Sequence, residues 1–263
     1  TRLDIVDIQA LNSEIQVDLK YCTSDNFLHK KLYFKINRAY LQKEVALRLS
    51  KVQDQLSKDY PGHRLLIYDA LRPVAVQELM WEALDTLPVA ARIKFVSNPK
   101  HLSLHNLGAA IDLTIIDPKG IPLDMGAEFD DIRRIAYPSL EQSFLASGQL
   151  SSKQLENRKI LRRAMQGQGF RQLPTEWWHY NACSREEAKR KYMAENGLYS
   201  EAEEHASCGV GLVVSINGAP SRKVVQAGID ALRAVWHRGA VDADGKTGDG
   251  AGIAAGVKML RQD

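Results

Sequence analysis

Apolar and polar positions follow two rhythms along this chain. Over residues 15–21 every second residue is apolar (Ile15, Val17, Leu19, Tyr21), which predicts a strand with one buried face. Over residues 41–56 the rhythm lengthens. Val45, Leu49, Val52 and Leu56 recur at three- and four-residue intervals, the stripe of an amphipathic helix, and Pro61-Gly62 stops it. Residues 64–68 form a short apolar run and predict a strand, and Pro73 suits the first turn of a helix reaching about Leu84. Residues 109–116 are dense in apolar and β-branched side chains and give the strongest strand signal. Within that run Ala110, Asp112 and Thr114 share one face, and Ile111, Leu113 and Ile115 the other. A further helix is predicted over residues 152–165, ended by Gly167 and Gly169. These elements mix without a regular strand–helix–strand beat. The expected fold is therefore α+β, a mostly antiparallel sheet with flanking helices.

Composition divides the chain near residue 184. Residues 1–183 hold 7 of the 18 glycines but 16 of the 19 aromatic residues. The expected organisation is a domain over residues 1–183, a linker helix over 184–205 and a glycine-rich segment over 206–263. The charged run Ser184-Arg-Glu-Glu-Ala-Lys-Arg-Lys-Tyr192 reads as a solvated helix, with Glu187 four residues before Lys191. A net charge of +3 gives no footprint for nucleic acid or an anionic membrane surface. No apolar run approaches the roughly 18–20 residues of a membrane-spanning helix. Three cysteines (Cys22, Cys183, Cys208) are too few and too scattered for a disulfide framework or a four-cysteine zinc site. No basic stretch followed by an apolar stretch opens the chain, and its start at Thr1 leaves room for a leader already removed.

Some polar residues stand out against this background. His29, His63, His101 and His205 lie in polar or charged surroundings and read as solvated. His105 instead lies in Ser103-Leu-His-Asn-Leu-Gly-Ala-Ala-Ile-Asp112, just before the strongest strand. Asp112 occupies the polar face of that strand, where a bare carboxylate costs several kcal/mol unless it is paired or ligates a metal. Gly108 permits a tight turn between His105 and the strand. Glu176-Trp177-Trp178-His179 offers a second imidazole and another carboxylate. On a regular strand Glu176 and His179 face opposite sides, so a shared site needs a bend, and Pro174 supplies an irregular entry. Two imidazoles and one carboxylate make a three-ligand set for catalytic zinc, with Glu176 as proton acceptor and the tryptophans as walls. The competing reading makes Trp177 and Trp178 core and Glu176 a surface charge; the presence of His105 and Asp112 outweighs it. Arg72, fixed at a strand end by Pro73, serves either as an oxyanion stabiliser or as a structural partner of Asp69.

Six segments occur in the order found in zinc D-alanyl-D-alanine dipeptidases: Tyr21-Cys-Thr-Ser-Asp-Asn-Phe27, Asp69-Ala-Leu-Arg-Pro73, Ser103-x-His-x-x-Gly-x-Ala-x-Asp112, Met125-Gly-Ala-Glu-Phe-Asp130, Asn157-Arg-x-x-Leu161 and Glu176-Trp-Trp-His179. Residues 3–183 thus resemble that family. The resemblance implies one Zn²⁺ per chain, bound by His105, Asp112 and His179. It makes Glu176 the general base and proton shuttle, and gives Arg72 the scissile carbonyl and its oxyanion. Tyr21 and Asp130 would meet the substrate ammonium, and Ser103 would lie beside the substrate backbone. The implied partner is a small D,D-dipeptide, in a bacterial cytoplasm or periplasm. Two positions depart from the pattern: Leu28-His29 stands where a glycine is usual, and Leu71 where a tyrosine is. The Ser-x-His and Asp pattern is shared with D,D-carboxypeptidases and peptidoglycan endopeptidases, which stand as alternatives, as does a non-catalytic zinc-binding module.

From about Glu187 the chain resembles a different family. Glu204-His-Ala-Ser-Cys-Gly-Val-Gly211 and the glycine-rich run from His237 to Ile253 are similar to the start of the glutamine amidotransferase domain of glutamate synthase large subunits. In that family Cys208 would be the nucleophile once freed as an N-terminus. Here it is internal, and only the opening part of such a domain is represented. The resemblance implies an incomplete αβ fragment with a strand over 210–216 and a helix over 221–236, without a complete glutaminase site. An amidotransferase role ranks behind the peptidase reading.

Overall fold

The apolar runs become the middle of a mixed sheet. The structure, a computed structural model, describes residues 4–93 and 95–193 together with the helical positions Arg222 and Gln226. In chain order its elements are β1 (Ile5–Asp7), α1 (Ile8–Leu11), β2 (Gln16–Val17), β3 (Tyr40–Gln42), α2 (Lys43–Asp59), β4 (Arg64–Asp69) and α3 (Val74–Glu82). Then follow α4 (Val89–Arg92), β5 (Ala110–Ile116), α5 (Glu141–Ala146), α6 (Ser152–Gly167), β6 (Arg171–Gln172), β7 (His179–Asn181) and α7 (Arg185–Ala188). One sheet has the order β2-β4-β5-β7-β6, and β1 pairs with β3 in a second. Only β2 runs parallel to its neighbour β4; the other pairs are antiparallel. This is the expected α+β class. No helix among the described residues is long and apolar enough to cross a membrane.

The strongest patterns survive folding. Val45, Leu49, Val52 and Leu56 of α2 are all buried. Buried Gln53 on the same helix accepts from the Leu65 N–H (2.7 Å) and donates to the His63 carbonyl (3.2 Å), tying α2 to the start of β4. α6 opens with a capping box between Ser151 and Gln154. Every residue of β5 is buried, on both faces, so the polar face carrying Asp112 and Thr114 is also covered.

Three expectations change. The strand over residues 15–21 shrinks to Gln16–Val17, and Lys20–Cys22 forms a 3₁₀ turn. Pairing with β4 ends at the bond from the Asp18 N–H to the Ile67 carbonyl; the Tyr21 carbonyl accepts instead from Leu32 and Tyr33. Ile15, Leu19 and Tyr21 are still buried, so the alternation reported burial rather than a ladder. Pro73 lies one residue before α3, as its cap. The run after Ser184 is helical but not fully solvated: Ala188 and Tyr192 are buried. The Tyr192 hydroxyl donates to Glu44 of α2, and Lys191 bridges Glu44 (3.2 Å) and Glu187 (3.1 Å). The remainder of the expected linker, Cys208, the strand over 210–216 and the helix over 221–236, apart from Arg222 and Gln226, lie outside the described residues.

By contacts the chain divides into Thr1–Leu198 and Tyr199–Asp263. We propose that the first domain includes α7 and ends near Leu198. A chain ending at Leu198 is expected to keep the cooperative urea transition seen by Trp177 and Trp178 fluorescence. A chain ending at Cys183 loses the buried Ala188 and Tyr192 and is expected to be less stable by about 3 kcal/mol, the order lost with a large buried side chain.

Candidate metal centre

Strand register builds the cluster. Asp112 pairs with His179 across β5–β7 and with Asp69 across β5–β4. His105 arrives from the loop before β5, which turns at Gly108 with φ of 64°. A Cβ there would press on the Gln42 nitrogen and the Ile5 side chain at 3.2 Å, so the turn needs glycine. His105 Nε2 lies 3.2 Å from His179 Nδ1 and 3.3 Å from Asp112 Oδ2. His179 Nδ1 lies 2.9 Å from Asp112 Oδ1.

The other nitrogen of each ring settles where its proton sits. His105 Nδ1 donates to the Ala70 carbonyl (2.8 Å), leaving the Nε2 lone pair turned inward. His179 Nε2 donates to Asn181 Oδ1 (2.8 Å), leaving the Nδ1 lone pair turned inward. With the Asp112 carboxylate this makes three inward acceptors while both rings are neutral. Such a triangle favours a positive charge at its centre, a proton on His179 Nδ1 or a metal ion in its place. The demand shows in titration. Burial works against a charged His179, yet the hydrogen bond and charge of Asp112 raise it to about 9. Burial pushes Asp112 up, but the two imidazoles hold it below the usual carboxylate range. Ligands about 2.0–2.1 Å from a tetrahedral zinc ion stand about 3.3 Å apart. The donor set and its spacing therefore fit a divalent metal, with all three ligand atoms within 4.8 Å of one another.

A cavity of about 430 Å³ opens onto the cluster, and all eight residues singled out from the sequence line it: Tyr21, Arg72, Ser103, His105, Asp112, Asp130, Glu176 and His179. Glu176 sits in the bend before β7 with Oε2 3.7 Å from His179 Nδ1. That bend resolves the spacing problem: His179 opens the strand and Glu176 precedes it. Burial raises the Glu176 carboxyl above its ordinary value, with His179 opposing. Trp178 lines the cavity, whereas Trp177 packs into the core and donates to the Ala127 carbonyl (3.1 Å). One tryptophan is wall and the other core.

Arg72 takes the structural one of its two expected readings, as the partner of Asp69, and it also lines the cavity. Its Nε (2.9 Å) and Nη2 (2.7 Å) bind Asp69 Oδ2, and Nη2 also lies 3.9 Å from Asp112. The Tyr21 hydroxyl donates to both oxygens of Asp130 (3.2 and 3.1 Å). Burial and the Asp130 charge push the Tyr21 phenol well up, which keeps it a donor. Burial, with Asp112 adding, pushes the Asp130 carboxyl well above the usual range. The Ser103 hydroxyl is engaged with Gln77 (2.8 Å) and Asn106 (2.9 Å) and shapes the loop that carries His105. His29 and His101 are exposed, and His29 stands in the left-handed region (φ 52°), where the dipeptidase pattern favours glycine.

Sequence reading missed Asn181 and Tyr33. Asn181 had a signal, because it stands two residues beyond His179 on a strand and so shares its face. Tyr33, whose hydroxyl donates to Asp69 Oδ1 (2.6 Å), had none.

A cluster able to hold a metal ion, beside a buried carboxylate and an arginine on an α+β scaffold, is the arrangement a metal-dependent hydrolase needs. Residues 1–196 match the family model described as D-ala-D-ala dipeptidase, and the chain belongs to that family. It is 33% identical to the D-alanyl-D-alanine dipeptidase of Escherichia coli (strain K12) over 179 residues, which is 67% of this chain and 83% of that protein. It is 29% identical to the D-alanyl-D-alanine dipeptidase of Synechocystis sp. (strain ATCC 27184 / PCC 6803 / Kazusa) over 168 residues, 54% of this chain and 68% of that protein. Residues 208–260 match the model described as glutamine amidotransferases class-II. There the chain is 64% identical over 59 residues to the glutamate synthase [NADPH] large chain of Azospirillum brasilense, a stretch covering 22% of this chain and 4% of that protein.

Asn181→Ala removes the acceptor that fixes His179 and is expected to weaken metal binding about 10- to 100-fold, the usual cost of losing such a partner. Competition with a chromophoric chelator measures it; unchanged affinity would remove Asn181 from this role.

Proposed function

We propose that this chain hydrolyses the D-alanyl-D-alanine dipeptide with one zinc ion held by His105, Asp112 and His179. The observation that carries the reading is the triangle of inward acceptors placed within reach of Glu176 and Arg72. Zinc bound there supplies a Lewis acid and lowers the pKa of its water to about 7.

The remaining steps belong to side chains. Glu176 accepts the water proton and returns it to the leaving amine, and its raised carboxyl brings it nearer the operating pH of a general base. Arg72, gripped by Asp69 through Nε and Nη2, keeps its Nη1 group for the carbonyl oxygen as negative charge develops on it. Asp130, steadied by Tyr21, accepts the free ammonium of the substrate. Charge supports this division. Four carboxylates (Asp69, Asp112, Asp130, Glu176) surround one guanidinium, a deficit that a divalent ion and one ammonium together neutralise. Arg185, which also lines the cavity, is the cation available to the carboxylate of the dipeptide.

Glu176→Gln is expected to keep zinc, read by elemental analysis, while turnover of D-Ala-D-Ala falls about 100- to 10,000-fold. Loss of zinc with an unchanged residual rate would contradict the assignment. Arg72→Met is expected to lower kcat about 100- to 1,000-fold. N-acetylated D-Ala-D-Ala and longer peptides should be poor substrates, because they lack an ammonium at the Asp130 position. Preference for those peptides would favour the D,D-carboxypeptidase or endopeptidase alternative, and activity surviving a chelator would exclude the metal.

A further inference from the structure

Two loops complete the site, one carrying Asp130 and the other Glu176, and both are tied to polar side chains of α6: buried Asn157 and Arg158, and half-buried Arg162. Arg158 is fully buried. Its Nε donates to the Met125 carbonyl (2.6 Å) and its Nη2 to the Ile135 carbonyl (3.0 Å), so one guanidinium grips both ends of the Asp130 loop. Asn157 adds a bond to the Asp124 carbonyl (2.7 Å). Gly126 makes the approach possible: a Cβ there would come within 2.5 Å of Leu150. Asp130 itself stands at φ of 62°, a left-handed conformation that non-glycine residues hold only when their surroundings impose it.

One turn further along, Arg162 binds Glu141 through both carboxylate oxygens (2.6 and 2.7 Å) and Gln172 through Nε (2.6 Å). Gln172 in turn donates to the carbonyl of Trp177, the neighbour of Glu176 (2.8 Å). Burying a guanidinium costs several kcal/mol, and an apolar residue would pack a helix at less cost. Arg158, whose Nη1 lies 3.6 Å from Glu141, spends its other donors on the two carbonyls at the ends of the Asp130 loop, and Arg162 reaches the Glu176 bend through Gln172.

On the functional reading above, we infer that Arg158 is a positioning residue for Asp130, and that Gln172, held by Arg162, is one for Glu176. A displacement of about 1 Å at a reacting group costs about 100-fold in rate, so such supports carry measurable weight. The Asp130 arm serves substrate capture and the Glu176 arm serves proton transfer, so their losses fall on different constants.

The test uses the zinc-loaded full chain and D-Ala-D-Ala. Arg158→Met is expected to raise KM about tenfold or more with kcat and bound zinc little changed. In an Asp130→Ala background it should have no further effect beyond about twofold, because the group it acts through is gone. Gln172→Met is expected to lower kcat about tenfold with KM and bound zinc unchanged. Arg158→Lys, which keeps a donor, should return KM toward wild type, and it replaces Arg158→Met should that variant fail to fold. Losses by Arg158 variants that multiply with Asp130→Ala, or kcat and KM moving together with zinc content in both arms, would overturn the inference while leaving the dipeptidase reading intact. A wild-type chain inactive on the dipeptide would overturn that reading, and this inference with it.

Discussion

Everything in the site follows from where two imidazole protons point. His105 donates outward to a backbone carbonyl and His179 outward to Asn181, so each turns a bare lone pair toward Asp112. Three acceptors within hydrogen-bond distance repel one another unless something positive lies between them. In a buried setting that repulsion is poorly screened. The fold therefore sets up a position that favours positive charge and orients both rings beforehand, so that a metal ion has to displace no more than the proton on His179.

The sheet supplies the rigidity this requires. β5 is paired on both sides and covered on both faces, which makes Asp112 one of the least mobile carboxylates available. Ladder register, rather than loop geometry, sets the His179–Asp112 and Asp69–Asp112 neighbour relations. Asp130 and Glu176, the groups proposed to meet substrate, come from loops instead. Of the three proposed ligands Asp112 and His179 sit on strands, and His105 sits on a loop pinned by the Ala70 carbonyl, which suits a metal that tolerates less positional error than a flexible dipeptide does.

How much of this was legible follows from the range of each signal. The α2 stripe and the β5 run spread their signal over many residues, and both elements formed. The proposed metal ligands stood out because a carboxylate on a buried strand demands an explanation that only a partner or a metal gives. β1, β3, β6 and β7 have two or three residues each, too few to show a period, and their existence depends on tertiary pairing. The Ala70 carbonyl that orients His105 leaves no mark in any side chain. Alternation over residues 15–21 misled because burial and strand pairing share one pattern, and only the first two residues of that stretch after Ile15 found a ladder. The charged run after Ser184 misled in the opposite sense: its charges are real, but Ala188 and Tyr192 form a narrow buried face among them.

The structural pairing of Arg72 with Asp69 does not compete with the catalytic role proposed for it. A buried guanidinium without a counterion would be costly, and Asp69 removes that cost by taking two of its N–H groups on a single oxygen. The other oxygen of Asp69 is occupied by the Tyr33 hydroxyl, so the carboxylate cannot swing toward the cavity. The Tyr21 ring lies beneath the guanidinium, 5.2 Å from its central carbon. With one edge pinned and one face covered, the arginine lines the cavity in a fixed orientation. On the proposed function, the ion pair aligns the guanidinium before substrate arrives, so that little side-chain entropy is lost when an oxyanion forms.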